Sequence, residues 1–563
     1  MVRTVDLPDL GAVTDDCTLV TDHAGTGSVR ATSITTYIAA GLRALFFGSG
    51  PASATWYGAT GNGSTDDRAA IAAAFAAHDD VRLPPGTYRL GADLTIARGQ
   101  RIIFAPGASL LVDSGKTVTI HGAIDALPQQ IFAGSGTVTG IRQVYPEWWG
   151  AIIDDALTDS QPALAAAHAC VHDSLASDGG RPTIRLGGGT YYLGDTWTVA
   201  PTANCQLVVE GEGNIFGGSR LQPIAGFPAA PVMLVDGDAD AIQAITDFRL
   251  ASFSIIGDGG DATVGLQIGR STDTTHQINA VHQSLVEDIY IENFPTGILI
   301  SHAQLIAFNR CSVWNNSFVG ANSCVYLYET GGTFTGDMDF VDCELVGNAA
   351  ADSQGFVLSS VTAGGAVAGV RFRGCFTSAC DRSFYLNATA GGTVHDVWVT
   401  GGCQIDFAVV QPVYVYAQGT ASYVRNVQIA DAFIDGGADQ ITLFADTDGQ
   451  VLDVRVEGNW LAQATGRALT SSGARGIVCN SNTIADNNNI AGPALEFNAV
   501  VAFTCSDNIN TQAGTTNVCK YLVTIEGASD YYTVLGNVGA GLVVTTTIND
   551  AADGAHKAVA NNI

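Results

Sequence analysis

The chain has 563 residues, 66 of them glycine and only 14% charged, a composition of turns, strands and small buried residues rather than of a helical bundle. Its formal charge of −29 excludes the basic stripe that a nucleic-acid surface or an anionic membrane partner requires. The opening "MVRTVDLPDLGAVTDDC" lacks the apolar core of a secretory signal, and no run of 18 apolar residues predicts a membrane span.

The first strong motif is "YGATGNGSTDDRAAIAAAF", residues 57–75, followed by the glycine turn and strand "RLPPGTYRL". It returns as "WGAIIDDALTDSQPALAAA", residues 149–167, followed by "IRLGGGTYYL". Each copy predicts an Asp-rich turn, an alanine-rich helix and an apolar strand. In the first, Thr65 or Asp66 is placed to accept from the free amides of the first helical turn, and Asp67 to favour the positive end of the dipole. In the second, Thr158 or Asp159 takes that place, with Pro162 in the first turn where its missing donor costs nothing. Ile71, Phe75, Leu164 and His168 form the inward faces. His168 and His172 are four apart, as in helical zinc sites, but no third ligand lies near, so no metal and no cofactor is expected.

From about residue 285 the sequence becomes a series of strand–turn–strand units. One position recurs every 23 to 32 residues, as Cys311, Cys343, Cys375, Cys403, Ala432, Asn459, Asn482, Asn508, Asn537 and Asn562. That period matches one coil of a parallel β-helix, in which each coil lays its strands on those of the previous one. The recurring position becomes an internal ladder at a bend. Asparagine amides suit it because they bond to backbone and to each other along a stack, and cysteine suits it as a small buried hydrophobe. The twelve cysteines never form C-x-x-C, and rungs about 4.8 Å apart do not align sulfurs for disulfides, so they read as core.

At this point the sequence is similar to a known group. "WYGATGNGSTDDRAAIAAAF…VRLPPGTYRL" resembles the opening signature of the pectate-lyase-like β-helix superfamily, and "VTIHGAIDALPQQIFAGSGTVTGIRQVYPEWWGA" looks like a junction of bacteriophage tailspikes and tail fibres. The resemblance implies an all-β, right-handed parallel β-helix with N-terminal helical caps, assembled as a homotrimer. Residues 1–53 look like a small virion-attachment head that meets phage tail, baseplate or portal-adaptor proteins. Residues 54–144 read as a neck module with the first cap, and 145–563 as the second cap with the main β-helix. The implied function is recognition, with depolymerisation, of a host surface polysaccharide. The alternative is a tail fibre of the same architecture that binds without cutting. The implied place is the virion, assembled in the host cytoplasm and acting outside the cell.

Strand alternation nominates the surface. Inward Val325 and Leu327 leave Tyr326 and Tyr328 outward, and Tyr385, Tyr414 and Tyr416 emerge at equivalent places in later coils. Such rings serve equally as a sugar platform or as a contact between subunits, and alternation alone does not choose. Tailspikes that hydrolyse glycans use paired carboxylates. The candidates are Glu329, Asp339, Asp342 and Asp406, with Arg371 and Arg373 placed to neutralise the cluster around Asp339. The motif sets of polygalacturonases and pectate lyases are absent as sets from the coils, so a plant-pectin enzyme is not expected; as a depolymerase, an endoglycosidase is expected ahead of a lyase.

Overall fold

The computed structural model describes residues 51–563 except 179–180, 200–206, 215–216, 237–244, 247, 261, 270–280, 316–317, 319, 330, 447, 487–491, 512–518 and 540–546. The expected attachment head falls almost wholly outside the described residues. The chain divides into two compact units, one reaching Leu111 and including His121–Ala126, the other comprising Val112–Ile120 and Leu127–Ile563.

In the first unit a 3₁₀ turn, Ala54–Tyr57, ends at Gly58 with φ of 94°, a left-handed conformation that glycine adopts without penalty. Helix α1 (Arg68–Ala77) buries Ile71, Ala74 and Phe75. Asp66, as expected, accepts at Oδ1 from the amide of Arg68 at 3.1 Å, and also from that of Gly91 at 3.0 Å. Asp67 differs from the expectation. It is 1% exposed, and its carboxylate accepts from the amides of Thr60 and Gly61 at 2.7 and 3.0 Å and from the Thr60 hydroxyl, so it clamps the preceding glycine turn. Strands Ala52–Ser53, Asp80–Leu83, Arg101–Phe104 and Ala123–Asp125 form a parallel sheet in that order.

The second unit repeats this local grammar. A 3₁₀ turn, Pro146–Trp149, ends at left-handed Gly150, and helix α2 (Gln161–Asp178) follows. Asp159 Oδ1 accepts from Gln161 at 2.9 Å and from Gly194 at 2.8 Å, reproducing the bonding of Asp66. Ser160 takes the position of Asp67, fully buried and donating to the carbonyl of Ile152 at 3.2 Å.

Beyond the helix the chain winds into a mostly-β parallel solenoid of about 16 turns. Sheet 1 has 16 strands and runs from Gln143–Val144 to Lys557–Ala560. Sheets 2 and 3 have 13 each, from Gly189–Leu193 to Val538–Gly539 and from Trp197–Val199 to Ile548–Asp550. Every strand pairs in parallel with its counterpart one coil on, so a single residue position becomes a column along the solenoid.

The recurring position is such a column, at the corner between sheets 1 and 2. The residue before it is left-handed in coil after coil, with φ of 52° at Arg310 and Asp342, 54° at Asp431, 56° at Asp507 and 62° at Gly374. Asp, Asn and Gly recur there because they tolerate that conformation best. Just past the corner, Cys311, Cys343, Cys375 and Cys403 aim their thiols at carbonyls of the previous coil. From Asn459 onward amides replace thiols, and Asn482 Nδ2 donates to Val456 O and to Asn508 Oδ1, each at 2.9 Å. The ten described cysteines are all buried and unbridged. Hydrogen bonding to Cys343 and burial push the Cys375 thiol up to about 12, as suits a core residue. Inside the solenoid, Phe308, Phe340 and Phe372 stack rung on rung with centroids 4.6 and 5.3 Å apart. Each such contact is worth about 0.5–1.5 kcal/mol beyond simple burial.

Candidate functional site

The outward side of sheet 3 carries the tyrosines. Tyr326, Val357, Tyr385, Tyr414 and Thr442 occupy one column in register, and Tyr328, Ser359, Asn387, Tyr416 and Phe444 the next. Tyr385 and Tyr414 stack with centroids 5.5 Å apart, and Tyr416 stacks on Phe444 at 5.7 Å. The Arg382 guanidinium lies over both Tyr385 and Tyr414, 5.2 and 5.3 Å from the ring centroids, while its Nη1 reaches Asp352 at 3.1 Å. Burial pushes the Tyr385 phenol up to about 12 against the pull of Arg382. These rings are half-buried, a flat polar-edged surface rather than a loose fringe.

Sheet 1 carries Asp339, with Met338 and Phe340 buried on either side. Its Oδ1 lies 3.7 Å from both Arg371 Nη1 and Arg373 Nη2, and Arg371 in turn covers the ring of Trp398 at 4.9 Å. Asp339 therefore sits in an ion-pair cluster. Asp342 occupies one of the left-handed corners, where its backbone conformation accounts for an Asp. Glu329 is 0% exposed. One of its oxygens accepts from the Ser360 hydroxyl and from the amides of Val361 and Thr362, at 2.9 to 3.0 Å, and organises the turn of the next coil. A Cβ at Gly365 would lie 1.9 Å from its other oxygen, so that turn is built around the carboxylate. Glu329 and Asp339 share a coil but not a surface, and the structure does not bring them together.

Asp406 is different. It lies on sheet 2 just after the in-register pair Ile405–Ile434, beside Asp435 of the next coil. Burial raises the Asp435 carboxyl, and the charge and hydrogen bond of Asp406 raise it further. Asp435 Oδ1 is buried with no donor from the rest of the protein. The neighbouring outward column reads Gln404, Phe433, Trp460 in register. Phe433 and Trp460 are 39% and 49% exposed, and Phe407, at a left-handed bulge beside them, is 72% exposed. Asp435 escaped the sequence reading, although the coil period gives it away: it follows Ala432 by the three positions that separate Asp406 from Cys403.

A second unforeseen group lies on sheet 1. His395 Nδ1 is 2.7 Å from Asp396 Oδ2, and Asn426 donates to the other oxygen. Burial alone would raise the Asp396 carboxyl, but the bonds from Asn426 and His395 outweigh it and hold it below its ordinary range. Among the described residues no cluster of three or more His, Cys, Asp or Glu is arranged to hold a metal ion, and no helix is long and apolar enough to cross a membrane.

No protein-family profile and no curated protein matches the chain. Solved structures with the same parallel β-helix fold include tailspike protein 3 of bacteriophage CBA120, 13% identical, covering 74% of this chain and 61% of that one with a TM-score of 0.41. A surface protein and adhesin of Streptococcus pneumoniae is 12% identical over 74% of this chain and 99% of its own, TM-score 0.42. The A-module of a mannuronan C-5 epimerase from Azotobacter vinelandii is 14% identical over 74% and 99%, TM-score 0.37. The chain's own strand pairing makes it a parallel β-helix, and solved structures distantly similar to it include phage tailspikes, carbohydrate-active enzymes and an adhesin.

Proposed function

We propose that the chain is the receptor-binding β-helix of a phage tailspike, which holds a host surface polysaccharide along its outward sheets and cuts it. The observation that carries this reading is the tyrosine ladder of sheet 3. Tyr385 stacks on Tyr414 and Tyr416 on Phe444 across successive rungs, Tyr414 and Tyr416 meet tilted along one strand, and Arg382 lies over two of the rings. Flat ring faces with polar edges suit the C–H faces and hydroxyls of a sugar chain. Tyr326 and Tyr328 extend the same surface by one further stacked pair, 5.5 Å apart.

The resemblance read from the motifs supplies the rest of the proposal. Residues 1–53 attach the chain to the virion, α1 and α2 cap the starts of their β-structures, and three copies assemble. Of the candidate carboxylates, Asp406 best fits acid–base work, because it faces a second carboxyl at an open surface, whereas Glu329 is enclosed and Asp339 is ion-paired. A second reading, binding without cutting, is favoured by the fact that three of the four candidate carboxylates have structural employment. Affinity electrophoresis through gels containing host surface polysaccharide tests recognition. Retarded migration that Tyr414→Ala relieves is expected. Unretarded migration with every host polysaccharide would contradict it.

A further inference from the structure

We infer that the Phe433–Trp460 shelf on sheet 2, with Asp406 and Asp435 at its side, is a subsite for an uncharged, hydroxyl-rich stretch of the glycan. The inference rests on the glycan-binding function proposed above and names the class of sugar that this surface takes. Phe433 and Trp460 are paired in register on adjacent rungs, so the strands that carry them are about 4.8 Å apart along the solenoid axis. That is the scale of one pyranose face. Both remain 39% and 49% exposed on a sheet whose inward neighbours, Ile434 and Leu461, are 0% and 1% exposed. Burying large rings of this kind is the strongest apolar contribution a sheet surface can make to binding.

The carboxyl pair decides between occupants. A second protein surface laid over the shelf would take Asp406 and Asp435 out of water, and removing a charged pair without a partner is costly. A uronate or sialate would bring its own negative charge against them. Neutral hydroxyls avoid both penalties. Two neighbouring carboxyls offer several acceptors, which match the O–H donors of adjacent sugar hydroxyls. Gln404, exposed one rung before Phe433, adds an amide to the same edge.

The test uses the full-length chain on an array of neutral and uronate-bearing bacterial polysaccharides, comparing Trp460→Ala, Phe433→Ala and Tyr414→Ala. These side chains are exposed or half-buried, and thermal melts confirm that the variants fold. The expected result is binding to neutral chains that weakens about tenfold or more in Trp460→Ala and Phe433→Ala. Glycan binding that both variants retain at full strength overturns the subsite and leaves the proposed function standing. So does binding confined to uronate-bearing chains. A change of oligomeric mass in Trp460→Ala with glycan affinity intact would make the shelf an interface between copies. A chain that binds no glycan overturns the proposed function and this inference together.

Discussion

The ring of Tyr385 lies parallel to that of Tyr414, 11° apart in plane and 5.5 Å between centroids. The two belong to successive coils in direct register, so the solenoid repeat itself sets the spacing. If this ladder binds glycan, Tyr414→Ala lowers affinity about tenfold, while Tyr414→Phe, which keeps the face and loses only the hydroxyl, costs less. Isothermal titration with host polysaccharide fragments measures both. Equal losses would assign the binding to the hydroxyl instead.

The asparagine ladder makes a stability prediction. Asn482→Ala takes the side-chain donor from the Val456 carbonyl and from Asn508 Oδ1, which keeps only the Asn482 backbone N–H, and takes the acceptor from the Asn459 N–H and Nδ2, all in the buried corner. A loss of about 1–3 kcal/mol follows from orphaning such groups. Urea unfolding of the variant measures it, and an unchanged midpoint would mean that water fills the gap.

Gly365 tests the role of Glu329. Because a Cβ would meet the carboxylate, Gly365→Ala is expected to destabilise the chain by about 1–3 kcal/mol, as overpacking does. Pairing it with Glu329→Ala opens room for that methyl, so the double variant should cost less than the sum of the singles. Strict additivity would show that the two positions do not interact.

Glu147 gives the pH dependence. It is 5% exposed and bonded at 2.5 Å to the Tyr191 hydroxyl, and burial raises its carboxyl despite that bond. A carboxyl raised in the folded state supports folding fully below its unfolded value, and that support is lost as pH rises through the folded value. Stability should therefore fall as pH climbs from below the ordinary glutamate range to just above it. Glu147→Gln should remove that slope, which thermal melts across the acid range would show.

Much of this fold was legible because a solenoid writes its structure as a period. The Cys and Asn column, the left-handed residues before it and the alternating tyrosines each follow from one residue position repeated coil after coil. The two helix turns were legible for the same reason, since Asp66 and Asp159 make matching bonds. Asp67 was not, because its charge suggests a surface residue, whereas the backbone of Thr60 and Gly61 folds around it. For Glu329, alternation already pointed inward after Val325 and Leu327, and the chemistry of carboxylates drew attention away from that geometry. The Asp435 partner was legible from the period, three residues past Ala432 as Asp406 is past Cys403, and was overlooked because attention stayed on carboxylates around the tyrosine strands.

Our proposal that this β-helix recognises and cuts a host polysaccharide places Asp406 and Asp435 at the cutting site. The most direct measurement is size-exclusion chromatography of that polysaccharide after incubation with the purified chain, read alongside reducing ends and absorbance near 235 nm. Hydrolysis at that pair gives shortened chains with new reducing ends and no new absorbance, the rate falling about a hundredfold or more in Asp406→Asn and Asp435→Asn. Bound but intact polysaccharide would contradict the cutting and leave an adhesin, and shortened chains that absorb would point to elimination instead of hydrolysis.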